Sequence, residues 1–169
     1  MFDIPDLAGG AAISRAVRTI DEVAELLGVT RNDVAAVFVL RGFAVESAMG
    51  PVYWRDYAPP TAGLPEDRPL GASALERSLQ SILPPDAPIS MARYTIEGIA
   101  KAGGIVLVCD RAFQAIVQRV QVVEGSSVVA ARLIGIRNLL AGTSLMPSGL
   151  SALVLAQRAG CSLITAEAR

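Results

Sequence analysis

Cys109 is the residue in this chain best placed to do chemistry. It follows the run Gly103-Gly104-Ile105-Val106-Leu107-Val108 and precedes an amphipathic segment that begins at Asp110. A short apolar run bounded by glycines and rich in β-branched residues predicts a strand buried on both faces of a parallel sheet. The thiol then stands where that strand ends. In open α/β sheets ligands bind in the crevice outside the carboxyl ends of the strands. A thiol attacks as its thiolate, which is scarce at neutral pH when the group titrates near its free value of about 8.5. The N–H groups of the following helix and the cation of Arg111 favour the thiolate, and Asp110 opposes it.

The other candidates surround that position. Arg41-Gly42 ends a second apolar run, Val34 to Leu40, and puts a cation and a flexible turn at a strand terminus. Ser148 and Gly149 stand before a helix, where their N–H groups either hold an anion or only turn the chain. Trp54, with Tyr53 and Tyr57, either lines a pocket or fills an interface. Arg41 is as well suited to an ion pair as to an anionic ligand. Cys161 opens a last apolar run and reads as core, with a second thiol role as the minor alternative. Lys101, the chain's only lysine, sits in the last turn of a helix, where it opposes the helix dipole.

The chain has 169 residues and no histidine. That removes the common zinc and haem ligands and the Ser-His and Cys-His nucleophile pairs. Two cysteines without metal-ligand spacing make neither a framework nor a metal site, so no metal and no cofactor is expected. A net charge of −1, no basic run and 5% aromatic residues argue against a nucleic-acid partner. No basic n-region or apolar h-region opens the chain, and the expected location is cytoplasmic.

Hydrophobic residues make up 52% of the chain and charged residues 18%, below the ~25% of ordinary soluble domains. Residues 138–157 carry no charge and are long enough to span a bilayer. Gly142, Pro147, Ser148 and Gly149 break the segment into a strand, a turn and a helix start, so no membrane span is expected. The apolar surplus predicts a subunit interface instead.

The elements that must position these residues alternate. Helices are predicted over 14–27, 44–49, 90–101, from 110 to at least 120, over 128–140 and over 150–159, and strands over 34–40, 105–108, 142–146 and 161–165. Phe2-Asp3-Ile4 reads as the remnant of a short edge strand. Gly50-Pro51 reads as an interruption, and the aromatic stretch 52–57 leads into a proline-rich insertion at about 58–90 with a helical stretch around 72–83. The insertion is expected to act as a lid or to dock on a neighbouring subunit. Together these give a single α/β domain over 1–169, built on a doubly wound, mainly parallel sheet of about five strands.

Three stretches stand out together: Val37-Phe38-Val39-Leu40-Arg41-Gly42 with Trp54 downstream, the run from Gly103 to Cys109, and Met146-Pro147-Ser148-Gly149-Leu150 followed by Ala156-Gln157-Arg158-Ala159-Gly160. In their order and spacing they resemble the DsrE/DsrF-like family, which includes sulfur-relay proteins and many uncharacterised relatives. The resemblance covers roughly residues 34–165 with the insertion outside it. It implies a three-layer α/β sandwich, a homotrimer or homohexamer, and a cysteine that carries sulfur as a persulfide, at the place held by Cys109. Asp110, the insertion and the weak first strand depart from the family pattern. The functional expectation is a sulfur carrier or cysteine-dependent sulfurtransferase, served by a sulfur-donor or acceptor protein. The alternative is a non-catalytic oligomer that binds a small ligand at the strand ends through Arg41, Gly42, Trp54, Arg111, Ser148 and Gly149.

Overall fold

A computed structural model of the chain describes residues 1–6, 11–57 and 93–165. The insertion, its helical stretch around 72–83 and the start of the helix predicted from residue 90 lie outside the described residues. Five strands form one sheet: β1 (Phe2–Ile4), β2 (Val37–Leu40), β3 (Ile105–Cys109), β4 (Thr143–Met146) and β5 (Ile164–Thr165). Their order is β4-β3-β2-β1-β5 and every pairing is parallel. The helices are α1 (Ala11–Leu27), α2 (Pro51–Asp56), α3 (Ile96–Lys101), α4 (Asp110–Glu124), α5 (Val128–Arg137) and α6 (Gly149–Arg158). Short 3₁₀ turns occupy Arg31–Asp33 and Gly42–Ala48.

The topology follows from the right-handedness of parallel crossovers. From β1 to β4 the strands march in one direction, so their connecting helices fall on one face; the step from β4 to β5 runs back past all of them, and α6 falls on the other. Two cores result. On the first face Phe2, Ile4, Phe38, Leu40, Val106 and Val108 meet α1, α2, α3, α4 and α5. On the second, Val37 and Val39 meet Ala152 and Leu153 of α6. This is a three-layer sandwich.

β1 corrects the expectation of an edge strand. It lies inside the sheet, with Phe2 opposite Phe38 on one side and Ile164 on the other. All three of its residues are buried, Asp3 included. The strand is short because Pro5 cannot donate to a ladder, and the chain of the next turn closes over its end instead. There Arg41 N donates to Ile4 O (3.0 Å) and Ala44 N to Pro5 O (3.3 Å). Gly42 makes that closure possible, because its φ is +56° and a Cβ would lie 2.8 Å from Pro5 O.

Two further differences are local. Gly50-Pro51 begins a helix, α2, with Pro51 at its first position, where the missing N–H costs nothing. At the other end, Cys161–Leu163 stay outside the sheet and only Ile164–Thr165 pair. No described helix is long and apolar enough to cross a membrane.

The outer surface carries the apolar surplus. α5 turns its small residues, Ala131 and Gly135, to the core; a Cβ on Gly135 would lie 3.0 Å from Phe113 Cζ. Its large residues Val129, Leu133 and Ile136, spaced on one stripe, face outward. α6 likewise buries Gly149, Ala152 and Leu153 and exposes Leu150, Val154 and Leu155.

Candidate functional site

The carboxyl ends of β1, β2 and β3 meet the first turn of α6. Because β2 and β3 are in register from Val37–Ile105 to Leu40–Val108, the next residues, Arg41 and Cys109, stand side by side at the carboxyl ends of the strands. Cys109 itself pairs with Met146 of β4. α6 begins directly above them: a Cβ placed on Gly149 would lie 3.2 Å from Arg41 Cβ and 3.3 Å from Cys109 Cβ. A side chain at this position would press on both neighbours, which would have to give by a few tenths of an ångström. Arg41, Cys109 and Gly149 therefore form one cluster.

Arg41 is held from below. Its Nε donates to Asp3 Oδ1 at 2.7 Å and its Nη2 to Asp3 Oδ2 at 2.8 Å, a two-pronged pair with a nearly buried carboxylate. Asp3, which the sequence does not single out, is thereby a neighbour of the cluster. The alternation of the sheet aligns it: Asp3 is level with Val39, two residues before Arg41 on the same face. The available signal was an acid inside an apolar β-type segment, which in an interior strand requires a cationic partner.

The electrostatics around Cys109 are more balanced than a bare helix terminus would make them. Cys109 is the N-cap of α4, yet its side chain accepts no hydrogen bond from the first turn. Asp110, the first residue of the helix, occupies the favourable end of the dipole instead. Its charge is matched by Arg132 of α5, whose Nη1 lies 2.7 Å from Asp110 Oδ1. That oxygen is buried, and the contact is an ion pair rather than an aligned hydrogen bond. Arg132 also lies over the Phe113 ring, 5.9 Å from its centre. Arg111 is exposed on the same first turn.

Ser148 is the N-cap of α6 but makes no side-chain cap; its carbonyl accepts from Ala152 N at 3.0 Å. Trp54 packs against the first core from α2, edge-on to Tyr53, and its Nε1 donates to Met49 O at 3.0 Å. These contacts are structural, and they occupy the indole's one donor. Cys161 is half-buried beneath the opposite, amino-terminal end of the sheet, beside a cleft of about 430 Å³ lined by Phe2, Ile20, Val34, Ala36 and Ile164. Both cysteines are free, and they sit at opposite ends of the strands.

A second polar cluster lies under α2. Arg119 donates to Glu46 Oε1 at 2.6 Å and also to the hydroxyl of Tyr53, which is fully buried. Burial, with Glu46 adding to it and Arg119 opposing, pushes the Tyr53 phenol up to about 12 from its ordinary 10.0. The native chain thus keeps a proton that the unfolded chain releases first. The stability this contributes is whole below pH 10 and is lost as pH rises toward 12. Tyr53→Phe should flatten that alkaline loss, by on the order of 2 kcal/mol at its limit, as read from urea unfolding across this pH range. An equally steep loss in the phenylalanine form would assign it to other groups.

No protein-family model, curated protein or solved structure matches this chain.

Proposed function

We propose that this protein handles sulfur, with Cys109 accepting a sulfane sulfur as a persulfide and passing it to another thiol. The observation that supports this is the convergence of Cys109, Arg41 and Gly149 at the carboxyl ends of the strands. The Cys109 thiolate attacks the donor's outer sulfur, the donor's sulfur–sulfur bond breaks, and the donor leaves with that bond's electron pair. An acceptor thiolate then attacks the outer sulfur of the persulfide and Cys109 departs as thiolate. Neither step needs a metal, a cofactor or histidine. A sulfur-donor or acceptor protein completes the relay, and the two free thiols suit the reducing cytoplasm.

The test is intact-mass spectrometry after incubation with a sulfane-sulfur donor such as thiosulfate or a polysulfide. A gain of one sulfur, about 32 Da, transferable to an added thiol, is the expected result. Non-catalytic ligand binding at the same strand ends is the second reading, and the observation favouring it is that Cys109 is only 7% exposed. No adduct on the folded protein would decide for it.

The assembly belongs to the same proposal. Helix faces that expose large apolar residues are built to be covered, and the outer stripes of α5 and α6 are assigned to contacts between copies in a homotrimer or homohexamer. Light scattering should give a multiple of 17.6 kDa at micromolar concentration. Leu133→Glu or Leu150→Glu should reduce it with the circular dichroism unchanged; a wild-type monomer would end this assignment.

A further inference from the structure

A cleft of about 430 Å³ opens at the amino-terminal end of the sheet, the end opposite Cys109. It lies beside the short edge strand. β5 pairs with β1 only through Ile164 and Thr165, so the chain between the end of α6 and Leu163 is outside the ladder. The walls come from α1 (Ile20, Val23), the start of β1 (Phe2), the approach to β2 (Val34, Ala36) and the turn behind α6 (Cys161). Phe2, Ile20 and Ala36 belong to the first core, whereas Cys161 packs on the second. Both cores therefore wall the cleft.

Packed layers leave few voids larger than a water molecule, and an apolar cavity of about 150 Å³ already takes up benzene. A space of about 430 Å³ falls within the range of small-molecule sites. The lining selects the kind of molecule. None of the described side chains that line the cleft is charged; Thr19, Ser162 and Cys161 are its polar ones. A small adjoining cavity reaches Arg31, but that guanidinium donates to Asp21 Oδ1 at 2.6 Å. An ion entering the cleft would give up its hydration without meeting an unmatched opposite charge. An apolar body gives up no such hydration, and a neutral polar group on it can meet the Thr19 or Ser162 hydroxyl.

We infer that this cleft is a binding site for a small uncharged molecule with an apolar body, an alkyl chain or aromatic ring, and one neutral polar group. The site is independent of sulfur handling, because Cys109 stands at the other end of the strands.

The probe is 1-aminoanthracene, a neutral fluorophore that brightens in apolar surroundings. It is titrated into the protein and then displaced with 1-octanol or with octanoate, which match in length and differ in charge. Saturable binding of one probe per chain is expected, with octanol displacing it at least about tenfold more effectively than octanoate. Val23→Trp, which fills the cleft from α1, should weaken binding by about tenfold or more. Leu133→Glu, on the exposed stripe of α5, should bind the probe as wild type does.

Absence of saturable binding, equal displacement by octanoate, or wild-type affinity in Val23→Trp would overturn the inference. So would loss of binding in Leu133→Glu, which would place the probe on the outer face of α5. Should Val23→Trp fail to fold, the half-buried Cys161 locates the site instead. In the Cys109→Ser protein, where one thiol is read, saturating 1-octanol should slow alkylation of Cys161 by iodoacetamide by on the order of fivefold. An unchanged rate there would overturn the inference as well.

Discussion

Cys109→Ser is expected to abolish persulfide formation outright while leaving the fold intact. Oxygen cannot replace sulfur here: a serine hydroxyl is not ionised at neutral pH and does not take up sulfane sulfur. The substitution is otherwise small. Cys109 closes β3 and caps α4 through its backbone, and its side chain donates no hydrogen bond that serine would have to reproduce. The stability loss should be about 1 kcal/mol, from placing a hydroxyl where a buried thiol had been. Intact-mass spectrometry should therefore show the added sulfur in the wild-type and Cys161→Ser proteins and none in Cys109→Ser. The Cys161→Ser arm matters because Cys161 stands at the far end of the sheet beside a cleft of its own. An adduct that survived in Cys109→Ser and vanished in Cys161→Ser would move the chemistry to that end, away from Arg41 and Gly149.

The parts of this site differ in how plainly the sequence announces them. β3, Cys109 and the start of α4 are legible because an apolar run, a glycine boundary and a helical period follow one another without interruption. Arg41 and Gly149 are legible as residues at strand and helix ends, since each adjoins a glycine or proline turn. Their meeting is not, because it depends on β2, β3 and α6 coming together from three separate parts of the chain. β1 is read wrongly for a physical reason. Its apolar pattern is broken by Asp3, and an acid in a three-residue segment marks an exposed edge unless its partner is known. That partner is 38 residues away. α2 is misread because Gly50-Pro51 serves equally well to stop a helix or to start one, and only the packing of Tyr53 into the core decides between them. The last strand is overestimated: β5 pairs with β1 only through Ile164 and Thr165, while Ser162 O accepts from the Met1 amino group at 2.8 Å outside the ladder.

Arg41→Ala should be the most destabilising single change at the site, and more so than Asp3→Ala, although each breaks the same pair. The difference lies in what is left behind. The Asp3 side chain is 8% exposed, whereas that of Arg41 is 32% exposed. Removing arginine strands a carboxylate on an interior strand, between β2 and β5, where water cannot reach it well; such a loss costs about 3 to 5 kcal/mol. Removing aspartate leaves a guanidinium on a long side chain that can turn its charge toward solvent, and the cost falls to about 1 to 2 kcal/mol. Urea unfolding of the two variants measures both at once. The pair Asp3→Asn with Arg41→Gln provides the control, because two neutral amides of similar size strand no charge and should recover much of the loss. Equal losses in Arg41→Ala and Asp3→Ala would mean that the carboxylate is as well solvated as the guanidinium, and that β1 does not enclose it. The asymmetry would show instead that the acid is the buried member of the pair and the arginine the adjustable one.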